Sequence, residues 1–288
     1  MKILHEIKCC LKTAQADIWL WSENKRMIML LLLISAVTAQ FCFDLNEFSK
    51  SIGATTNIIA ILPYLYSIRY FRLCIQFGIV LMFSNAPFRS GNSLFQVIRT
   101  GYTKWCIGQI VYIILSSAAY VFTLFLLCII LTLPTSGFSL TWGKTFSTLA
   151  QTSGWTYRIS YGLQLKFTPV EALVNTALLL FLLSVLLGMT MFLLSNVVGH
   201  GAGIIAASAI VLFGLVPDMT QNHILIITLS PCSLTQIENL DSIGISGYPS
   251  LAYAYTFLLV GITILISVSV ALLSNKKIRQ YVYSAEVW

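Results

Sequence analysis

The chain has 288 residues, of which 57 % are hydrophobic and only 9 % charged, with a mean hydropathy of +0.84. Soluble domains carry about a quarter charged residues, so this composition excludes an ordinary soluble domain; the helix-length apolar runs equally exclude an outer-membrane barrel of ~10-residue alternating segments. The formal net charge of +7 comes from basic residues beside apolar runs, which the positive-inside rule explains more simply than nucleic-acid binding.

From Lys2 to Trp21 the apolar residues Leu4, Ile7, Leu11, Ala14, Ile18 and Trp21 recur at spacings of three and four, which predicts a helix with one apolar face. Lys2, His5, Lys8 and Lys12 lie off that face, so residues 1–26 are expected to form an amphipathic helix in the cytoplasmic interface, its cations toward lipid head groups. The first span follows at 27–43 and is ended by Asp44. A signal peptide is the competing reading, but the 26 residues before the run are too long and too patterned for one.

Residues 44–66 are expected outside the membrane, where Pro63 breaks a segment that packs on the bundle or dips into the bilayer. Arg69 and Arg72 divide the apolar residues of 52–85. A central arginine costs ~2.5–3.5 kcal/mol on insertion scales, so the pair marks an interface and leaves one span at 67–85.

The loop 86–105 that follows is short and basic. Pro87 and the run Ser90-Gly91-Asn92-Ser93 stop the preceding helix and offer caps for a new one near Ser93. Leu94, Phe95, Val97, Ile98 and Tyr102 fall on one arc of that helix, and Gln96, Arg99, Thr100 and Thr103 on the opposite one. Such a helix either joins two spans along the interface or offers its polar side to a partner.

Span three, 106–133, follows the basic and aromatic anchor Lys104-Trp105 and is closed by Pro134. In the outer segment 134–171, Trp142, Trp155, Tyr157 and Tyr161 suit a surface resting on head groups, and Ser139 is placed to cap a short helix through Gln151. Span four is 172–194, and the link Ser195 to Gly199 turns it into span five, 201–216. Small residues at four-residue spacing, Ala202 with Ala206 and Gly203 with Ala207, favour close helix packing within the chain or between subunits. In the outer segment 217–250 the run Ile224 to Leu229 is too short to span and is broken at Ser230-Pro231, which suits a re-entrant turn. Span six is 251–273, stopped by Asn275-Lys276-Lys277-Ile278-Arg279.

The sequence thus predicts an all-α integral membrane protein with six transmembrane helices and an N-terminal amphipathic interfacial helix. Of the 17 Lys and Arg residues, eleven then lie on the side of the termini and six (Lys50, Arg69, Arg72, Lys144, Arg158, Lys166) on the other, which puts both termini in the cytoplasm of a multi-pass cell-membrane protein.

Every Asp and Glu lies at a span end or in a loop, which disfavours a proton-coupled carrier. The three histidines, His5, His200 and His223, are scattered, and no paired acids or Ser–His arrangement marks an enzyme site. The seven cysteines include no C-x-x-C, so no metal or other cofactor is expected; a disulfide between Cys42 and Cys232 is left open on compartment grounds alone. Gly137 to Thr145 mimics a phosphate-binding loop but has five residues between its glycines and lies on the outer side.

The amphipathic N-terminus, the six spans, the helix-bearing loop between spans two and three and the half-hairpin between spans five and six together resemble the permease subunit of a type-2 ABC exporter. The resemblance is one of layout over the whole chain. It implies a substrate path formed by two permease copies or paralogues in the membrane lipid, powered by a separate ABC ATPase subunit. By the same resemblance Phe95, Gln96, Arg99 and Thr103 would couple to the ATPase, and Ala202, Gly203, Ala206 and Ala207 would face the second permease. The alternative is a non-transporting membrane protein, an immunity or assembly factor that binds a partner through its outer aromatic loops.

Overall fold

The structure is a computed structural model, and it describes residues 14–15, 18, 21, 24–86, 101–152, 161–220, 224–241 and 247–274. Among the described residues the regular structure is helical apart from one two-residue strand pair and an isolated bridge between Asp241 and Ser250. Five of its helices are long and apolar enough to cross a membrane, or six if a bent helix pair counts as one span.

Helix α1 (Lys25–Ile52) starts where the Asn24 side chain accepts a hydrogen bond from the Arg26 amide. It does not stop at Asp44. Asp44, Glu47 and Lys50 continue the helix until Gly53, whose φ of 68° places it in the left-handed region and lets Gly53 and Ala54 donate back to Lys50 and Ser49. At 1.5 Å per residue the helix is roughly 42 Å long, well beyond a ~30 Å hydrocarbon core. Residues 44–52, expected in an outer loop, are therefore a helical extension.

Strand β1 (Thr56–Asn57) pairs in parallel with β2 (Ser136–Gly137). Asn57 does double duty beside it: its Oδ1 accepts from the Ile59 amide to cap the next helix, and its Nδ2 donates to the Thr141 carbonyl at 2.7 Å. Helix α2 (Ile58–Ser67) is buried from Ala60 to Tyr66 and runs unbroken through Pro63. Proline removes only the bond to the Ile59 carbonyl, one turn from the helix start. The break comes instead at Ile68, whose extended backbone (φ −72°, ψ 120°) turns the chain by 88° into α3 (Arg69–Phe83). With 15 residues α3 reaches roughly 22 Å, so it falls short of a full span without α2. The span expected at 67–85 corresponds to α3, and α2, which lies in the segment 44–66, forms a sharply bent pair with it.

Helix α4 (Tyr102–Thr132) is joined to the end of α1 by Asn46, whose Nδ2 donates to the Leu131 carbonyl and whose Oδ1 accepts from Thr135. After β2 comes α5 (Gly143–Gln151), which starts at Trp142 rather than Ser139; the Ser139 hydroxyl is engaged with Thr141. Trp142 does not face head groups either. It is buried, its Nε1 donates to the Phe167 carbonyl at 3.0 Å, and its ring meets Phe146. Tyr161, at the start of α6 (Tyr161–Lys166), is exposed as expected, while Trp155 and Tyr157 lie outside the described residues.

Helix α7 (Pro169–Val197) opens with a capping box in which Thr168 and Glu171 exchange hydrogen bonds. It is the hub of the bundle: 61 % of its apolar stretch is buried, against 17 % for the last helix, and α2, α3 and α4 all pack on it. Helix α8 (His200–Phe213) returns along α7 at close range. A Cβ on Gly203 would lie 2.6 Å from the Met191 carbonyl oxygen and 2.4 Å from Ser195 Oγ, so only glycine permits this approach. The chain then passes through α9 (Val216–Met219) and α10 (Ile224–Leu229) into 3₁₀ turns at Ser233–Thr235 and Ile237–Asn239 that are buried against α7. Helix α11 (Leu251–Ser274) closes the bundle on α7 and α4.

Candidate functional site

Of the residues singled out for coupling, Phe95, Gln96 and Arg99 lie outside the described residues, as does most of the N-terminal helix. Thr103 is exposed in the first turn of α4. What is described is how the chain is held on either side of the segment 87–100. Before it, the Arg26 guanidinium at the start of α1 donates to Ser84 Oγ and Asn85 Oδ1. After it, Trp105 is 1 % exposed, with its ring 6.0 Å from Phe192 on α7. Trp105 is therefore a core residue and not the interfacial anchor expected. Nearby, Trp21 stacks edge-on against Tyr112 of α4 and donates to its hydroxyl at 2.9 Å, while Ala14 is fully buried.

A second cluster sits at the α2–α3 elbow. The turn at Ile68 carries Arg72 inward to 5 % exposure. Its Nη2 donates to Asp218 Oδ2 on α9 at 2.5 Å, and its Nη1 to the Ser67 carbonyl on the other limb of the elbow at 3.4 Å. With the Gln236 amide turned so that its oxygen faces the guanidinium, that oxygen accepts from Nη2 at 2.8 Å and Nε at 3.0 Å. Arg69, a third exposed, approaches the same carboxylate at 3.9 Å. Behind them the buried Tyr66 hydroxyl meets Thr235 Oγ1 at 2.7 Å and accepts from Gln76 Nε2 at 3.2 Å. The elbow is thus joined to Asp218, Thr235 and Gln236 by two neighbouring sets of polar contacts, in one of which two arginines share one acid.

Arg69 and Arg72 are thus paired with an acid of the same chain. Asp218 is the residue that sequence reasoning missed. The available signal was compensation: two arginines between apolar runs demand an acid, and Asp218 directly follows an apolar run.

Of the small residues on α8, Gly203 and Ala207 are buried against α7 within the chain, while Ala202 and Ala206 are half-buried. Cys42 and Cys232 are both free and buried, so the disulfide left open between them is not formed. Burial pushes the Cys232 thiol up to about 12, with the Arg72 charge pulling the other way. Among the described residues no group of three His, Cys, Asp or Glu could hold a metal ion. No family model matches the chain, and comparison with curated proteins and with solved structures finds no similar protein.

Proposed function

We propose that the chain is the permease subunit of an ATP-driven exporter, paired with a second permease and powered by a separate ATPase subunit. The observation that carries this reading is the segment 216–241, which follows α8, folds back into the bundle at its 3₁₀ turns and is tied by Asp218 and Gln236 to the α2–α3 elbow. A path that opens and closes needs elements that shift as units, and a bent pair latched to a return segment is such a unit.

In this mechanism the loop 87–100 lies in the cytoplasm and receives the motion of the ATPase. Its two roots, Arg26 on Ser84 and Asn85 and Trp105 on Phe192, pass that motion to α1, α3, α4 and α7. The chain carries no phosphate-binding loop of its own at 137–145, so the energy comes from the partner. Both termini are cytoplasmic.

Arg99 tests the coupling. A guanidinium makes a forked contact with a carboxylate or carbonyl that an ammonium cannot copy, whereas a lipid phosphate accepts either. Arg99→Lys is expected to weaken export or ATPase stimulation at normal protein level, and Arg99→Glu to abolish it. An Arg99→Glu protein that binds its ATPase and exports at the wild-type rate would reduce this loop to a connector and favour the non-transporting alternative.

A further inference from the structure

Beyond the elbow network, the structure contains a groove of about 260 Å³ between α1 and α4, floored by Leu30, Ile34, Met82, Tyr120 and Leu124. Those floor residues are buried, whereas Ile28 and Leu31 on its rim are about half exposed, so the groove is open along the side that α1 presents to its surroundings. It runs from Met27 to Ile34 on α1 and from Ala119 to Leu127 on α4, roughly 12 Å at 1.5 Å per residue. Its polar lining is sparse: the Tyr120 hydroxyl is already donated to the Ile75 carbonyl, which leaves Thr123. Pockets for compact drug-sized ligands run from about 300 to 1,000 Å³ with several convergent polar groups. This narrow, nearly dry slot suits a hydrocarbon chain instead.

The two ends of the slot differ. One end continues along the apolar faces of α1 and α4. At the other stands Trp21, fixed by its bond to Tyr112, and immediately beyond it are Lys25 and Arg26, both exposed. Arg26 reaches across to Ser84 and Asn85 just past Met82, which places its guanidinium at the groove's mouth. Among the described residues the ion pairs are those of Arg69 and Arg72 with Asp218, so neither Lys25 nor Arg26 has a carboxylate partner there. An apolar slot with a cationic mouth is complementary to an amphiphile with an anionic head and a hydrocarbon tail.

We propose that the α1–α4 groove binds one acyl chain of an anionic phospholipid, whose phosphate is held at the mouth by Arg26 and Lys25. A lipid there would wedge α1 against α4 beside the root of the loop 87–100. The proposal is independent of what the protein moves. Neither the lining of this groove nor that of a second apolar groove, between α4 and α7 and lined by Leu62, Phe125 and Phe181, holds a basic residue; what sets the α1–α4 groove apart is that Lys25 and Arg26 directly precede its lining residue Met27, so the second groove serves as an internal control.

The test is lipid retention by the purified full chain, exchanged into detergent with equal amounts of phosphatidylglycerol and phosphatidylcholine and read by native mass spectrometry. Wild type is expected to keep phosphatidylglycerol in preference. Arg26→Gln should lower that preference about fivefold, since a basic residue near an anionic head contributes ~1 kcal/mol and 1.4 kcal/mol is tenfold. Ala119→Phe, which fills the slot from a half-buried position, should lower retention of both lipids, whereas Ala118→Phe in the control groove should leave the preference unchanged. Millimolar inorganic phosphate should not displace the lipid. Should Ala119→Phe fail to fold, Thr123→Phe fills the slot from the same wall. Equal retention by wild type and Arg26→Gln, release by phosphate alone, or preference surviving a filled slot would each overturn the proposal, the last by placing the lipid elsewhere on the chain.

Discussion

Removing the carboxylate of Asp218 perturbs the elbow most sharply. In Asp218→Ala the Arg72 guanidinium, 5 % exposed, keeps only the Ser67 carbonyl and the Gln236 amide oxygen as acceptors. Breaking a buried ion pair from one side costs ~3–5 kcal/mol, and the two remaining acceptors place this case near ~3 kcal/mol. Arg69 adds less than ~1 kcal/mol, because it is a third exposed and its approach to the carboxylate is 3.9 Å. A loss of ~3 kcal/mol is about a hundredfold in the folded-to-unfolded ratio. The double variant Arg72→Met, Asp218→Leu removes both charges and should recover most of that loss, since apolar replacements of buried pairs are often neutral. Unfolding of the purified protein in mixed micelles with SDS measures both. The reasoning fails if Asp218→Ala stays within ~0.5 kcal/mol of wild type, or if the double variant is as unstable as the sum of the two single ones.

The close approach of α8 to α7 predicts that Gly203→Ala destabilises by ~1–3 kcal/mol, because the Met191 backbone cannot yield to a Cβ 2.6 Å from its carbonyl oxygen; thermal unfolding checks this, with Ala202→Val on the half-buried flank as the milder comparison. Cys232 should be a poor target for an impermeant thiol reagent in intact cells, being 1 % exposed with its thiol pushed up to about 12. Its labelling is expected to stay slow from pH 7 to about 9, since the thiolate is the reactive form and remains scarce until the pH nears that value. Fast labelling at neutral pH would mean that the segment 230–235 opens. A single-cysteine variant carrying Cys9 should not be labelled from outside, and labelling there would sink the cytoplasmic N-terminus.

The long apolar helices were legible because their signal is local. The runs expected at 106–133, 172–194 and 251–273 correspond to helices at Tyr102–Thr132, Pro169–Val197 and Leu251–Ser274. The end of α1 was not, because charges interleaved on an exposed face do not stop a helix; the left-handed Gly53 does. The elbow was hidden for a different reason. Isoleucine is no helix breaker, and the turn at Ile68 accompanies a pairing between Arg72 and Asp218, which lie 146 positions apart. Pro63 was the conspicuous local breaker nearby, yet losing one bond early in a buried helix did not end it. Trp105 and Trp142 misled in the same way: interfacial tryptophan is a statistical preference, and here the indoles fill the core against Phe192 and Phe146. Of the candidate coupling residues only Thr103 is described, so that part of the site rests on the pattern in 94–103 and on the two rooted ends of the loop.

The most direct measurement is of ATP hydrolysis by this chain purified under mild conditions, alone and in complex with whatever co-purifies from its native membrane. A permease powered from outside itself predicts no turnover by the chain alone, and vanadate-sensitive turnover in a complex whose second component carries a phosphate-binding loop and is lost from the Arg99→Glu protein. Robust hydrolysis by the isolated chain, or a native complex with no ATPase in it, would contradict it.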